Sequence, residues 1–134
     1  MKQLIYVSRP VNEVEPQMVK DILEISYKMN FDNGISGMLV CDGEYFLQCI
    51  EGDESAVNQL YSNICKDNRH HDIKLIGSID INQKDFKDWE MGYVSNRKDV
   101  VDKIKELTSK NDFTPYELTF LEARSVLKGL RFLI

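Results

Sequence analysis

Residues 35–51 read ISGMLVCDGEYFLQCIE, two apolar runs separated by Asp42-Gly43. Asp-Gly between strand-forming runs is a two-residue hairpin signal, because the central positions of that turn need residues that tolerate positive φ. The pattern predicts one strand over about 35–41 and a second over 44–51. Side chains alternate across a strand, so Phe46, Gln48 and Ile50 share one face of the second strand, and Tyr45, Leu47 and Cys49 the other. Both faces are largely apolar, which predicts a sheet covered on both sides and places a glutamine among apolar residues.

Before this hairpin, Asn30 to Gly37 (NFDNGISG) is turn chemistry. Further upstream Met18, Val19, Ile22, Leu23, Ile25, Ser26 and Met29 recur at helical spacing behind Pro16, predicting a helix from about Pro16 to Lys28 or Met29. Lys2 to Ser8 (KQLIYVS) reads as a strand with Leu4 and Tyr6 on one face and Ile5 and Val7 on the other, hence a central one. After the hairpin, Gly52 breaks the strand and Asp53 suits a helix N-cap. Val57, Leu60, Tyr61, Ile64 and Cys65 then carry a second amphipathic helix to about Asp67. Ile73 to Ile81 and Phe86 to Val94 (FKDWEMGYV) read as two more strands, the last with Trp89, Met91 and Tyr93 on one face.

The order β-α-β-β-α-β-β predicts an α+β fold, a ferredoxin-like sheet with both crossover helices on one face, because such crossovers are right-handed. The opposite face (Ile5, Val7, Leu47, Cys49, Val94) needs a cover. Helical stripes at Val100, Val101, Ile104, Leu107 and at Leu118, Leu121, Val126, Leu130 predict two C-terminal helices, over about 99–107 and 115–130, with a turn at Ser109–Asp112 between them. Residues 1–96 carry nine Lys/Arg against sixteen Asp/Glu, whereas residues 97–134 carry eight against six. That shift divides the chain into a domain over 1–96 and a helical extension over 97–134.

A chain of 134 residues with 43% apolar and 29% charged residues has the composition of one ordinary globular core. Its net charge of -5 repels phosphate backbones, which argues against a nucleic-acid partner. No apolar run approaches the ~20 residues of a membrane helix and the start lacks a secretory h-region, so cytoplasmic residence without a membrane partner is expected. Cys41, Cys49 and Cys65 are odd in number without C-x-x-C spacing, so buried free thiols are expected. His70 and His71 are sequence neighbours and point apart, which disfavours a shared metal. Phosphate-loop, dinucleotide, zinc-protease and nucleophile-elbow motifs are absent, so no enzymatic activity is expected.

The helix-covered face gathers Tyr6, Leu39, Cys41, Phe46 and Gln48, together with Trp89 and Met91. In this strand order Tyr6 and Gln48 come close, and a buried phenol or amide left unpaired costs about 1–3 kcal/mol. Asn30, one turn after Ser26, points into the same space. Two readings stand here. In one, Tyr6 and Gln48 form a satisfied core pair, Asn30 is a helix cap, and Trp89 and Met91 are packing. In the other, Ile22, Ile25, Leu39, Phe46 and Ile64 wall a slot with amides along one edge, suited to a flat, mostly apolar ring bearing carbonyls, such as a flavin.

Five stretches bear on that choice: LIYVSR around Tyr6, DILEISYKMNFDNGISGML around Asn30, EYFLQCIEG around Gln48, KDNRHH, and FKDWEMG around Trp89. Over roughly residues 1–95 the chain resembles the BLUF domains, blue-light sensors that use flavin adenine dinucleotide, in their short single-domain form. The resemblance implies a flavin ring between the crossover helices, with Asn30 at its pyrimidine edge and Gln48 bonded to both the ring and Tyr6. It further implies that Tyr6 supplies an electron and a proton under blue light, that Gln48 is left rearranged, and that absorption moves to the red. Trp89 and Met91 resemble the strand-five pair that passes the change to the C-terminal helices and on to a separate partner protein. Ile22, Ile25, Ser26, Leu39, Phe46, Ile64, Asp67 and His70 complete the implied cofactor-binding set, with Lys28 and Arg69 near the diphosphate. Without a glycine-rich phosphate loop, FMN or riboflavin is expected to substitute for FAD. Met29 stands where many members have a second asparagine, and Asn63 where some have a basic residue.

Two other functions compete. One is a colourless, light-independent interaction module on the same fold. The other is an acylphosphatase-like hydrolase, for which Arg9-Pro10 offers no convincing anion loop. The 38 positions from 97 to 134 are too few for a cyclase or phosphodiesterase domain, so any catalytic output is expected in another chain. Tyr116, Phe120, Phe132 and Leu133 either cap the core or form a homo-oligomer contact.

Overall fold

Gln3 to Ser8 are six consecutive buried residues, and a strand buried on both faces has to lie inside its sheet. The computed structural model describes residues 1–87, 92–94, 97–111 and 114–131, and for residues 16, 25–27, 29, 92–94 and 97 the backbone alone. Strand β1 (Lys2–Pro10) runs antiparallel to both β3 (Phe46–Gly52) and β4 (His70–Asp80). β2 (Ser36–Cys41) pairs antiparallel with β3, and β5 (Gly92–Val94) joins parallel to β2. The order β4-β1-β3-β2-β5 is the ferredoxin-like arrangement with one added strand. Its register sets Tyr6 opposite Gln48 and Gln48 opposite Leu39, so the three form one row across the sheet.

Helices α1 (Pro16–Asn33) and α2 (Glu54–Lys66) bring Met18, Leu23, Val57, Leu60 and Ile64 against Leu4, Tyr6, Ile35, Leu39, Phe46 and Ile50. On the other face α3 (Arg97–Leu107) and α4 (Phe120–Leu130) cover Ile5, Val7, Met38, Val40, Leu47 and Cys49. Val126, Leu127 and Leu130 are fully buried there. At about 1.5–3 kcal/mol per large aliphatic side chain, this burial supplies most of the docking of α4. Among the described residues, no helix is long and apolar enough to cross a membrane.

Several boundaries depart from the sequence reading. Helix α1 continues a turn beyond Met29 and ends at Gly34, whose φ of 66° is open to glycine and whose amide folds back on the Asn30 and Phe31 carbonyls. The 30–33 turn chemistry is therefore helix, and Asn30 lies within the last turn rather than at the cap. The hairpin connection spans four residues, because the Asp42 carboxylate accepts from the Glu44 and Tyr45 amides at 2.9 and 3.0 Å while Gly43 adopts φ 96°. β4 begins at His70, three residues early. Asp72 (φ 54°) sits where the register with β1 shifts, and that irregularity breaks the alternation that would have revealed the strand. Phe86 lies ahead of β5, buried against the C-terminal helices, and positions 88–91 fall outside the described residues.

The predicted helix over 115–130 divides into a single 3-10 turn, Pro115–Glu117, and α4. Thr119 and Glu122 explain the break: each side chain accepts from the other's backbone amide, a capping box that starts a new helix. Asp53 occupies the N-cap position of α2 without a side-chain cap bond. Leu107 and Leu121, read as core, are exposed, as is Cys65, read as a buried thiol; each faces away from the core its helix covers. Tyr116 and Phe120 pack partly against the core, whereas Phe132 and Leu133 are outside the described residues. Replacing Thr119 by Ala removes the cap and is expected to lower stability by about 1 kcal/mol in urea unfolding, with an unchanged m-value.

Candidate functional site

A cavity of about 190 Å³ opens between α1, α2 and the sheet. The row Tyr6, Gln48, Leu39 forms its floor, since β1, β3 and β2 present these side chains to the helical face in register. The Tyr6 hydroxyl donates to Gln48 Oε1, and both residues are buried. Burial pushes the Tyr6 phenol far above the usual tyrosine range, and nearby Tyr61, Asp67 and Cys65 push the same way. Burial thus favours the protonated, hydrogen-donating phenol of Tyr6. Gln48 suits the position because a carboxamide carries both an acceptor oxygen and two N–H donors.

The walls are aliphatic and aromatic: Ile22 from α1, Leu60 and Ile64 from α2, and Phe46 from β3. A second buried carboxamide, Asn30, enters from the last turn of α1 and is only 2% exposed. His70 closes one side. Its Nε2 lies 2.7 Å from the Ile64 carbonyl, which can only accept, so this nitrogen carries the proton in the neutral ring. Its Nδ1 is then left to accept from Ser8 Oγ at 2.7 Å. His70 thus ties the end of α2 to β1, with its ring edge-on to Tyr6 at 6.2 Å between centroids.

Asn63, Asp67 and Arg69 stand at the mouth. The guanidinium of Arg69 grips the Asp67 carboxylate through Nε at 3.0 Å to both oxygens and through a terminal nitrogen at 2.5 Å. That grip holds the Asp67 carboxyl below its ordinary range. The mouth consequently presents a neutralised pair, not an isolated cation.

Of the residues singled out from sequence, Tyr6, Ile22, Asn30, Leu39, Phe46, Gln48, Ile64, Asp67, Arg69 and His70 line this cavity. Lys28 is exposed on α1 and is not among the lining residues. The side chains of Ile25 and Ser26, and residues Trp89 and Met91 altogether, lie outside the described residues. Leu60 and Asn63 line the cavity although the sequence reading did not place them there. Their spacing carried the signal, because Leu60 is one helical turn before Ile64 and Asn63 one turn before Asp67.

Apolar walls with two buried carboxamides are the donor set for a flat ring that has carbonyl and ring-nitrogen groups on one edge, and a flavin fits that chemistry. The family profile described as BLUF, sensors of blue-light using FAD, matches residues 1–92. The chain belongs to the BLUF family. FAD is therefore its cofactor. This BLUF chain is 31% identical over 70 residues to the blue light- and temperature-regulated antirepressor BluF of Escherichia coli K12. That match covers 52% of the chain and 17% of the relative. It is 27% identical over 93 residues to the photoactivated adenylate cyclase subunit beta of Euglena longa, covering 68% of the chain and 11% of the relative. The chain thus spans a small part of these curated relatives. Two solved structures match along most of both chains. BlsA in its photo-activated state superposes with a TM-score of 0.87 at 31% identity, covering 96% of this chain and 93% of the other. BlrB in its dark state gives 0.77 at 30%, covering 96% of each.

The raised Tyr6 pKa sets a pH dependence. A group whose folded pKa lies above its unfolded value stabilises the fold fully below the unfolded pKa, about 10 for tyrosine, and loses that contribution as pH rises. Stability is expected to fall above about pH 10 in the native protein, and less steeply in Tyr6→Phe. Urea midpoints of both across this range provide the measurement, and parallel curves would refute the assignment.

Proposed function

We propose that this BLUF chain is a blue-light photoreceptor whose switch is the Tyr6–Gln48 pair and whose signal leaves through the helical extension to a separate protein. The supporting observation is the buried hydrogen bond from Tyr6 to Gln48 Oε1 on the floor of the cavity. Bound FAD supplies absorption of blue light and, once excited, a transient acceptor for an electron. Tyr6 is the residue placed to give up that electron, and its proton leaves along the existing bond to Gln48. Gln48 would be left with its donor and acceptor ends exchanged once Tyr6 regains its electron and proton. Tyr6, as a hydroxyl, can meet either end, so both arrangements are satisfied. Asn30 would hold the polar edge of the ring from α1, and Ile22, Leu60 and Ile64 would exclude water around it.

In this reading Trp89 and Met91 carry the change from Gln48 toward the C-terminal helices, residues 97–134 act as the output element, and the chain itself has no catalytic output. The antirepressor relative in Escherichia coli makes a protein receiver a reasonable class of partner. At the mouth, Asp67 already neutralises Arg69, so the diphosphate contributes little to recognition. FMN and riboflavin are therefore expected to bind within about tenfold of FAD, as read by flavin fluorescence titration.

Absorption spectra before and after blue illumination test the core of the proposal. Wild type loaded with FAD is expected to show a small red shift that reverses in the dark. Tyr6→Phe and Gln48→Leu are each expected to bind flavin and lose the shift. A normal shift in either variant, or a wild-type protein that takes up no flavin and stays colourless, would overturn it; the latter outcome favours a light-independent interaction module.

A further inference from the structure

Glu51 is fully buried on β3, three residues beyond Gln48 and on the opposite face of the sheet, and it has no part in the cavity. A carboxylate placed there has to be bonded on every side. Its oxygens accept from the Phe86 amide at 2.5 Å, the Asp85 amide at 3.1 Å and Gln3 Nε2 at 3.0 Å. The same Gln3 nitrogen donates to the Asp85 carboxylate at 2.7 Å. Arg124 of α4 grips Asp85 through Nε at 2.9 Å and a terminal nitrogen at 3.3 Å, and Arg131, just past the end of α4, donates to the Asp85 carbonyl at 3.0 Å. An unbroken chain of polar contacts therefore runs from β3 through the segment leading to β5 and into α4.

We propose that the chain Glu51–Asp85–Arg124, braced by Gln3, is a relay that sets the position of α4 from β3, the strand that carries Gln48. Its dark-state part stands on the fold alone; its light response rests on the reading of Gln48 as the switch. Apolar burial holds α4 against the sheet, but such burial is non-directional and does not by itself select one packed position over another. The bidentate Arg124–Asp85 contact is directional and fixes where on that surface the helix sits. Gln3 Oε1 is buried with no hydrogen-bond partner among the described residues, because both donors of its amide are turned to carboxylates. A network with an orphaned acceptor at its centre is not at its hydrogen-bonding optimum, so a second arrangement is accessible to it. Burial pushes the Glu51 carboxyl up, opposed by its bonds from Phe86, Gln3 and Asp85. Burial also acts to raise Asp85, but bonds from Arg124 and Gln3 outweigh it and leave that carboxyl below its ordinary range. The charge of Arg124 is thus matched by an ionised Asp85. Because Gln48 and Glu51 share one strand, a displacement of β3 at the cavity reaches α4 by this route without passing through strand β5.

Hydrogen–deuterium exchange over residues 120–130 of the full chain loaded with FAD, in the dark and under blue light, tests the relay. Arg124→Ala and Asp85→Asn lie away from the cavity and are chosen because Glu51→Gln risks the fold. In the dark each is expected to raise exchange in α4 about tenfold, the loss of one charge-assisted contact, while the flavin spectrum and its light shift stay as in wild type. Arg124→Lys, which keeps the charge, is expected to recover part of the protection. In wild type, light is expected to raise α4 exchange; in Arg124→Ala that increment is expected to be clearly smaller, what remains being the share carried through Trp89 and Met91. Unchanged dark exchange in both variants would overturn the relay. So would a full light increment in Arg124→Ala, or a wild type whose flavin shifts while α4 does not respond. A wild type with no flavin shift would instead sink the reading of Gln48, leaving the dark comparison to decide the relay.

Discussion

The antiparallel register of β1 with β3 is the constraint on which the cavity depends. It sets a phenol opposite a carboxamide beneath two helices, where neither can find bulk water, so they bond to each other. A slip of β1 by one residue would turn Tyr6 away from Gln48 onto the face that α3 and α4 cover and bring Ile5 and Val7 toward the cavity. The apolar residues on both faces make that slip costly, because Leu4, Phe46 and Ile50 need the helices α1 and α2 just as Ile5, Val7 and Leu47 need the other pair.

The two faces of β3 divide the electrostatics of the molecule. On the cavity floor and inner wall the polar groups are a phenol driven up by burial and two carboxamides, with the Asp67–Arg69 ion pair confined to the mouth. Toward the C-terminal helices they include an ion cluster, with Asp85 paired to Arg124 and Lys128 and joined through Gln3 to Glu51. Neutral groups on the cavity side let a hydrogen-bond pattern change without moving net charge through a low-dielectric space, which would be far more costly. Charged groups on the other side give directional contacts that resist such change until they are displaced as a unit.

The sheet, both crossover helices and the C-terminal cover were legible because each rests on a period: two in the strands, 3.6 in the helices. Tyr6 and Gln48 were legible as partners because strand order and alternation fixed which side chains meet. The segments that sequence reading misplaced are those where a local side-chain bond or a left-handed residue overrides the period. Asp42 widened the hairpin, Thr119 and Glu122 divided the last helix, and Asp72 interrupted β4. The Glu51 network was hidden for another reason. A glutamate ending a strand reads as a solvent-facing residue, and only the tertiary fold brings Gln3, Asp85 and Arg124 around it.

The C-terminal helices share a core with the sheet, and this limits how any change can travel. Val126, Leu127 and Leu130 interlock with strand residues at interior density, so α4 cannot drift gradually. It can occupy one packed position or another. In the proposed relay, a displacement that starts at the cavity is transmitted by groups whose bonds have direction and whose strand is common to both faces. β3 is that strand. With Gln48 and Glu51 fixed three residues apart on it, the two sides of the sheet are mechanically joined at the place where the polar groups of each are concentrated.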